Sequence, residues 1–233
     1  MVCQLGARGD GQQWARCSRR SKVRNCMSWL GRMKNVFKTT PEEQIIGYSF
    51  VELKSIFGIR ITETVGGPRN YPVFSALTPA GIQAYYSSFV VDKAETADLE
   101  NLINERFSPI NERLFNGLVV TCFQHRLSDE RLIFSISYKE FNSATIRLIT
   151  NSSELLSMLS ETNIAAPPPW VVFDGYEASW WGGDMQGAQG FYNDNHFFPF
   201  FSSLSPAERT AYYARYSASE EWVRSLELTL DLE

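Results

Sequence analysis

Residues 117–150 read GLVVTCFQHRLSDERLIFSISYKEFNSATIRLIT. Three runs in this stretch are rich in β-branched and aromatic residues: Gly117–His125, Arg131–Tyr138 and Ala144–Thr150. Short polar turns separate them, including Ser128-Asp129-Glu130. The pattern predicts an antiparallel meander. In the middle run Leu132, Phe134, Ile136 and Tyr138 alternate with Ile133, Ser135, Ser137 and Lys139. One face is therefore apolar and the other mostly polar. Cys122 lies three residues before His125. An odd spacing on a strand sends two side chains to opposite faces, which disfavours a Cys–His dyad. Cys122 reads instead as a small buried hydrophobe.

Helical patterns surround the meander. Lys93 to Phe107 places Leu99, Ile103 and Phe107 at i, i+4 and i+8, the stripe of an amphipathic helix. Ser153–Ser160 predicts a short helix. Upstream, Thr40-Pro41-Glu42-Glu43 offers an N-cap, a first-turn proline and acids, so a helix is expected from about Pro41. That expectation weakens near Gly47, with strand as the alternative over 45–61. Val65-Gly66-Gly67-Pro68 reads as a turn, and Thr78-Pro79 as the start of a short helix carrying Ile82, Tyr85 and Tyr86. Downstream, Ala165-Ala166-Pro167-Pro168-Pro169 forces an extended conformation. It is either a linker or a rigid crossover within one domain, and the crossover is preferred. Trp170-Val171-Val172-Phe173 then reads as a strand. Ser205-Pro206-Ala207-Glu208 is a capping box, and Ser217-Ala218-Ser219-Glu220 repeats it before Trp222, Val223 and Leu226. The fold class expected is α+β: a small antiparallel sheet flanked by helices, with a C-terminal aromatic and Gly-rich lobe ending in helices. Residues 33–233 read as one acidic domain, with the Pro-rich breakpoint at 165–169.

Charge divides the chain near residue 40. Residues 1–40 carry nine Lys or Arg and one acid, Asp10, a net +8. The whole chain has 22 bases and 26 acids, so the remainder carries 13 and 25, a net −12. Residues 1–32 form a basic leader without the apolar run of a secretory signal. Its composition fits a disordered tail, a nucleic-acid-binding arm around Ser18-Arg19-Arg20-Ser21-Lys22, or a transit peptide, although Gly6, Gly9 and Gly11 oppose a helix. It also fits upstream sequence read ahead of a later start at Met27 or Met33. Arg8-Gly9-Asp10 matches an adhesion tripeptide too short to carry weight. Three of the four cysteines, Cys3, Cys17 and Cys26, sit in the leader without zinc-site spacing. A body with one cysteine cannot form an internal disulfide, which favours a reducing, cytoplasmic location. No apolar span of about 20 residues is present, so no membrane helix is expected.

Residues 170–222 hold fifteen of the chain's 32 aromatic residues, interleaved with Gly182, Gly183, Gly187 and Gly190. Such a segment suits the core of an irregular lobe, an exposed binding platform or a ligand pocket. It contains neither a P-loop nor a dinucleotide fingerprint, and the chain has no G-x-S-x-G. Asp174, Glu177, Asp184, Asp194 and His196 form the best catalytic constellation, at spacings that are not diagnostic.

A body at −12 repels phosphate, so it is not expected to bind nucleic acid. An acidic, aromatic surface suits a basic protein partner. In composition and size the body is similar to small acidic immunity proteins of bacterial competition systems, with no motif that transfers residues. The function expected is a non-enzymatic cytoplasmic binding protein, an inhibitor or immunity protein neutralising a basic toxin or nuclease. No cofactor is expected. Tyr176, Trp180, Trp181, Asp184 and Asp194 are the candidate contacts, and Trp181→Ala or Asp184→Lys should weaken capture while the fold survives. The alternatives are an enzyme using Asp184, Asp194 and His196, with a divalent cation, and a structural subunit of a larger assembly.

Overall fold

A run of small turns brings the chain into its sheet. The computed structural model describes residues 44–58, 71–162, 164–182 and 185–231, with the side chain of Asp231 excepted. The leader, the turn at 65–68 and Asp184 lie outside the described residues. Strands β1 (Gln44–Ile45) and β2 (Tyr48–Ser49) pair across Ile46 and Gly47, both at positive φ. The chain then enters helix α1 (Phe50–Ile56), where Ser49 and Glu52 form a complete capping box. The start of the helix expected from about Pro41 lies outside the described residues; over Gln44–Ser49 the chain takes the strand alternative, and the helix begins at residue 50. The left-handed backbone at Gly47 breaks any helix there, and the Ser49-x-x-Glu52 cap restarts it.

The main sheet has six strands: β3 (Ser75–Ala76), β4 (Tyr85–Val91), β5 (Phe107–Phe115), β6 (Leu118–His125), β7 (Arg131–Phe141) and β8 (Ser143–Thr150). Their spatial order is β3-β4-β8-β7-β6-β5, and every neighbouring pair is antiparallel. The expected meander is β6-β7-β8. Three strands were not expected: the two-residue edge strand β3, β4 and β5. Tyr85 and Tyr86 open β4 rather than extending a helix, because the turn at Thr78–Ala80 is closed by Gly81 in the left-handed conformation. Strand β5 hides its nature in Phe107-Ser108-Pro109-Ile110-Asn111-Glu112, a mostly exposed edge with a register shift after Pro109. Edge strands need no apolar alternation and tolerate proline.

Register fixes which residues share a face. Phe89, Ile146 and Ile136 lie in one row and Phe134 and Leu148 in another. Helix α2 (Thr96–Arg106) covers this face with Leu99 and Ile103, and α3 (Ser153–Glu161) adds Leu155 and Leu159 to the same core. The helix expected from Lys93 begins at Thr96 after a 3-10 turn, and Phe107 starts β5. The opposite face carries Tyr86, Ile149, Ile133 and Cys122 in one row, and Ser88, Arg147 and Ser135 in the next. That second face is not solvated. Ser135 and Ser137 are buried beside Ile133. Arg113, on the same face as Cys122, holds the β1–β2 turn over it: its Nη1 donates to Gly47 O at 2.7 Å, its Nη2 to Glu52 Oε1 at 3.0 Å, and its guanidinium stacks 3.5 Å above the Tyr48 ring. Cys122 and His125 point to opposite faces. Burial pushes the Cys122 thiol up, which makes it inert.

Ala165–Pro169 are buried throughout. Trp170-Val171-Val172 does not extend as a strand. It forms a short helix, α4 (Pro169–Val172), because Pro169 at the first helical position presets the turn. The described residues all belong to one compact unit.

Gly47 tests this packing. A Cβ there would lie 2.7 Å from Phe115 Cβ, at φ +75. Gly175 has a similar φ of +70 and open space around it. In urea unfolding, Gly47→Ala should cost about 2–4 kcal/mol, and Gly175→Ala about 1 kcal/mol. Equal losses would contradict the contact between the turn and the sheet.

Candidate functional site

The lobe begins at α4 and is built from aromatic contacts. Trp170 donates its indole N–H to Tyr216 O at 3.1 Å and packs 5.0 Å from Trp222. The chain turns at Gly175, forms a 3-10 turn (Ala178–Trp180), then enters α5 (Gly187–Tyr192), a π turn (Asn193–Phe197) and α6 (Phe198–Phe201). The π turn has a local cause. Pro199 has no N–H to give, and its ring crowds the carbonyl of residue 195. Widening the preceding turn relieves both and brings two consecutive residues, His196 and Phe197, inside. Helices α7 (Pro206–Arg215) and α8 (Glu220–Asp231) close the lobe. Ser205 and Glu208 cap α7 as expected, and Ser219 accepts from Trp222 N–H at the start of α8.

The expected contact residues divide by depth. Trp181 is enclosed, packed edge-on to Phe197 at 5.8 Å and to Trp222 at 6.3 Å. It belongs to the core, so Trp181→Ala is not a surface probe: a truncation of this kind costs about 3–5 kcal/mol. Trp180 is 57% exposed. Its ring stands perpendicular to Tyr176 at 5.7 Å, and Tyr176 Oη donates to Trp180 O at 3.0 Å. Tyr176 is half-buried and also meets Trp181. The structure thus joins Tyr176, Trp180 and Trp181. Asp194 is exposed on the π turn, where it accepts from Asn193 Nδ2 at 3.4 Å. Asp184 lies outside the described residues.

A groove of about 540 Å³ runs between the Ala178–Trp180 turn and α8. Ala178, Trp181, Trp222 and Leu228 supply its apolar lining, and Glu177, Glu221 and Arg224 its charges. Ser225 Oγ donates to Ala178 O at 3.1 Å and fixes the turn against the helix. The α8 residues went unnoticed as a group. Glu221, Ser225 and Leu228 recur at i, i+4 and i+7, a stripe that helical periodicity reveals once the helix is placed.

Charge is unevenly matched here. Residues 170–233 hold ten acids and three bases. Arg209 is paired with Glu227 at 3.1 Å, and Arg215 with Asp92 and Glu95. Asp174, Glu177, Asp194, Glu220 and Glu221 are exposed and have no ion-pair partner among the described residues.

Of the catalytic alternative's three residues, His196 and Asp194 are described, and they lie at different depths. His196 is enclosed by Phe141, Phe191 and Tyr192 at ring distances of 5.6 to 6.2 Å, whereas Asp194 faces out. No three His, Cys, Asp or Glu converge as a metal site among the described residues. No helix among them is long and apolar enough to cross a membrane. The chain matches no protein-family model, no curated protein and no solved structure, so function has to be read from the lobe's own chemistry.

Burial, with a smaller push from Arg147, lowers the His196 pKa from 6.5 to about 4, against the opposing pull of Glu140. Its Nδ1 has no hydrogen-bond partner among the described residues. The unfolded chain protonates this imidazole first as pH falls. Stability is therefore complete above pH 6.5 and declines toward pH 4, by on the order of 3 kcal/mol from this residue. Urea unfolding at pH 7 and pH 4.5 should show that loss, and His196→Phe should remove most of it. An unchanged pH dependence in the variant would contradict the assignment.

Proposed function

We propose that this protein is a non-enzymatic binding protein of the inhibitor or immunity type, acting in the cytoplasm on a basic partner such as a toxin or nuclease. The observation that carries the reading is the set of exposed, unmatched acids around Trp180. Asp174 and Glu177 belong to the same short segment as Trp180, and Glu220 and Glu221 begin the helix packed against it. Unpaired carboxylates raise the rate of encounter with a cationic protein. An exposed indole supplies the apolar contact that slows dissociation. The buried, unactivated thiol of Cys122 suits a reducing compartment. The enclosed position of His196 and the exposed one of Asp194 favour binding over catalysis.

Tagged full-length protein, expressed in its source cell, should recover a stoichiometric partner with an isoelectric point above about 9. Raising salt to about 0.5 M should release most of it, since screening shortens the reach of the field. Trp180→Ala should weaken capture of the purified partner roughly tenfold, with little change in stability. Recovery of no basic protein, or a complex indifferent to both salt and Trp180→Ala, would remove the reading.

A further inference from the structure

The groove beside Trp180 is more specific than an acidic patch. Ala178, Trp181 and Trp222 form its apolar floor, exposed Leu228 stands at its edge, Ser179 and Ser225 add polar lining, and its carboxylates stand on two different elements, Glu177 before the 3-10 turn and Glu221 in α8. At about 540 Å³ it has room for several side chains, enough for a chain segment. We infer that this groove is a docking socket for an arginine- or lysine-bearing segment of a partner protein, with the aliphatic stem on the Trp181–Trp222 floor and the cationic head at Glu177 and Glu221. The inference rests on the basic-partner reading and gives it a place.

Three features select this occupant. Long basic side chains carry apolar stems, and such stems bury well against indole while the head stays hydrated. Arginine adds a planar face that stacks on aromatic rings. The bond from Ser225 Oγ to Ala178 O holds the two walls together, so the socket exists before the partner arrives. Arg224 completes the lining with one positive charge. A uniformly cationic segment is therefore not the best ligand: a neutral or acidic residue beside the anchoring base fits better.

The probe is an acetylated, amidated decapeptide of alternating Arg and Gly, titrated into full-length protein at low salt. Affinity is read by fluorescence, and the site by the indole N–H resonances of Trp181 and Trp222. Both resonances should shift in the wild type. The double variant Glu177→Lys, Glu221→Lys should bind at least about tenfold more weakly. A second double variant, Glu100→Lys, Glu161→Lys, makes the same change in net charge at exposed positions of α2 and α3. It should weaken binding no more than about threefold. Thermal melts within a few degrees of wild type show that both variants fold. Equal weakening in the two variants, or binding without movement of the indole signals, overturns the socket while partner capture leaves the broader reading standing. No peptide binding to the wild type also overturns the socket, and capture of a basic partner then decides the broader reading by itself.

Discussion

Three consecutive prolines create a demand that the rest of the lobe meets. Pro167, Pro168 and Pro169 are buried and have no N–H groups, so this stretch can donate neither within a helix nor to a ladder. Its carbonyls still need partners, because a buried unpaired carbonyl costs about 1–3 kcal/mol. The carbonyls of Pro168 and Pro169 accept from Val171, Val172 and Phe173 as α4 begins, and two tyrosines from distant segments serve the two carbonyls before them. Tyr212 in α7 donates to Ala166 O at 2.7 Å, and Tyr192 at the end of α5 donates to Pro167 O. Burial pushes both phenols well above their usual range, so they remain donors at any physiological pH. These bonds fix where α5 and α7 lie over the crossover. The ring contacts from Phe141 through Tyr192 to Phe197 and Phe201 follow from that placement.

The same placement decides which residues remain for function. The core takes Trp181, Tyr192, Phe197 and His196. His196 enters as a neutral imidazole in an aromatic cage, which costs acid stability and makes it unsuited to share a proton with Asp194. Trp180 stays outside, one residue from an enclosed neighbour. A rigid interior directly beneath an exposed indole preorganises it, and preorganisation reduces the ordering cost of binding. The acids follow a similar logic. Tyr213 and Arg209 occupy Glu227, and Tyr216 and Arg215 occupy Asp92. One ion pair within the lobe and those of Arg215 to Asp92 and Glu95 outside it take up two of the lobe's three bases and leave the surface acidic.

Much of the fold could be read from the sequence, and the failures have physical reasons. The β6-β7-β8 meander, α3 and the α7 cap were visible because alternation and capping are local signals. Strand β4 was missed because Tyr85-Tyr86-Ser87-Ser88 lacks clean alternation in a sheet covered on both faces. Strand β5 was missed because its pairing comes from β6 rather than from its own polar sequence. The segment 187–201 carries Gly187, Gly190 and Pro199, residues that argue against a helix, and aromatic packing overrides them. At the candidate site, the aromatic and acidic character of 176–201 was evident. Depth was not: Trp180 and Trp181 are identical in type and adjacent in sequence, and only the turn separates surface from core. The groove needed α8, whose Glu221 and Leu228 are distant in sequence from Glu177.

Held at the proline crossover, sheet and lobe should unfold as one cooperative body, with the acidic, Trp180-bearing face as its rigid exterior. The direct measurement is urea unfolding of full-length protein and of Tyr212→Phe, followed together by tryptophan fluorescence and far-ultraviolet circular dichroism. Trp170, Trp180, Trp181 and Trp222 report on the lobe, while dichroism reports on the sheet and on the helices of both parts. The account predicts coincident transitions for both probes, shifted together to lower urea in the variant by a loss of about 1–3 kcal/mol. A fluorescence transition that precedes the dichroism change, or a variant that loosens the lobe alone, would contradict it.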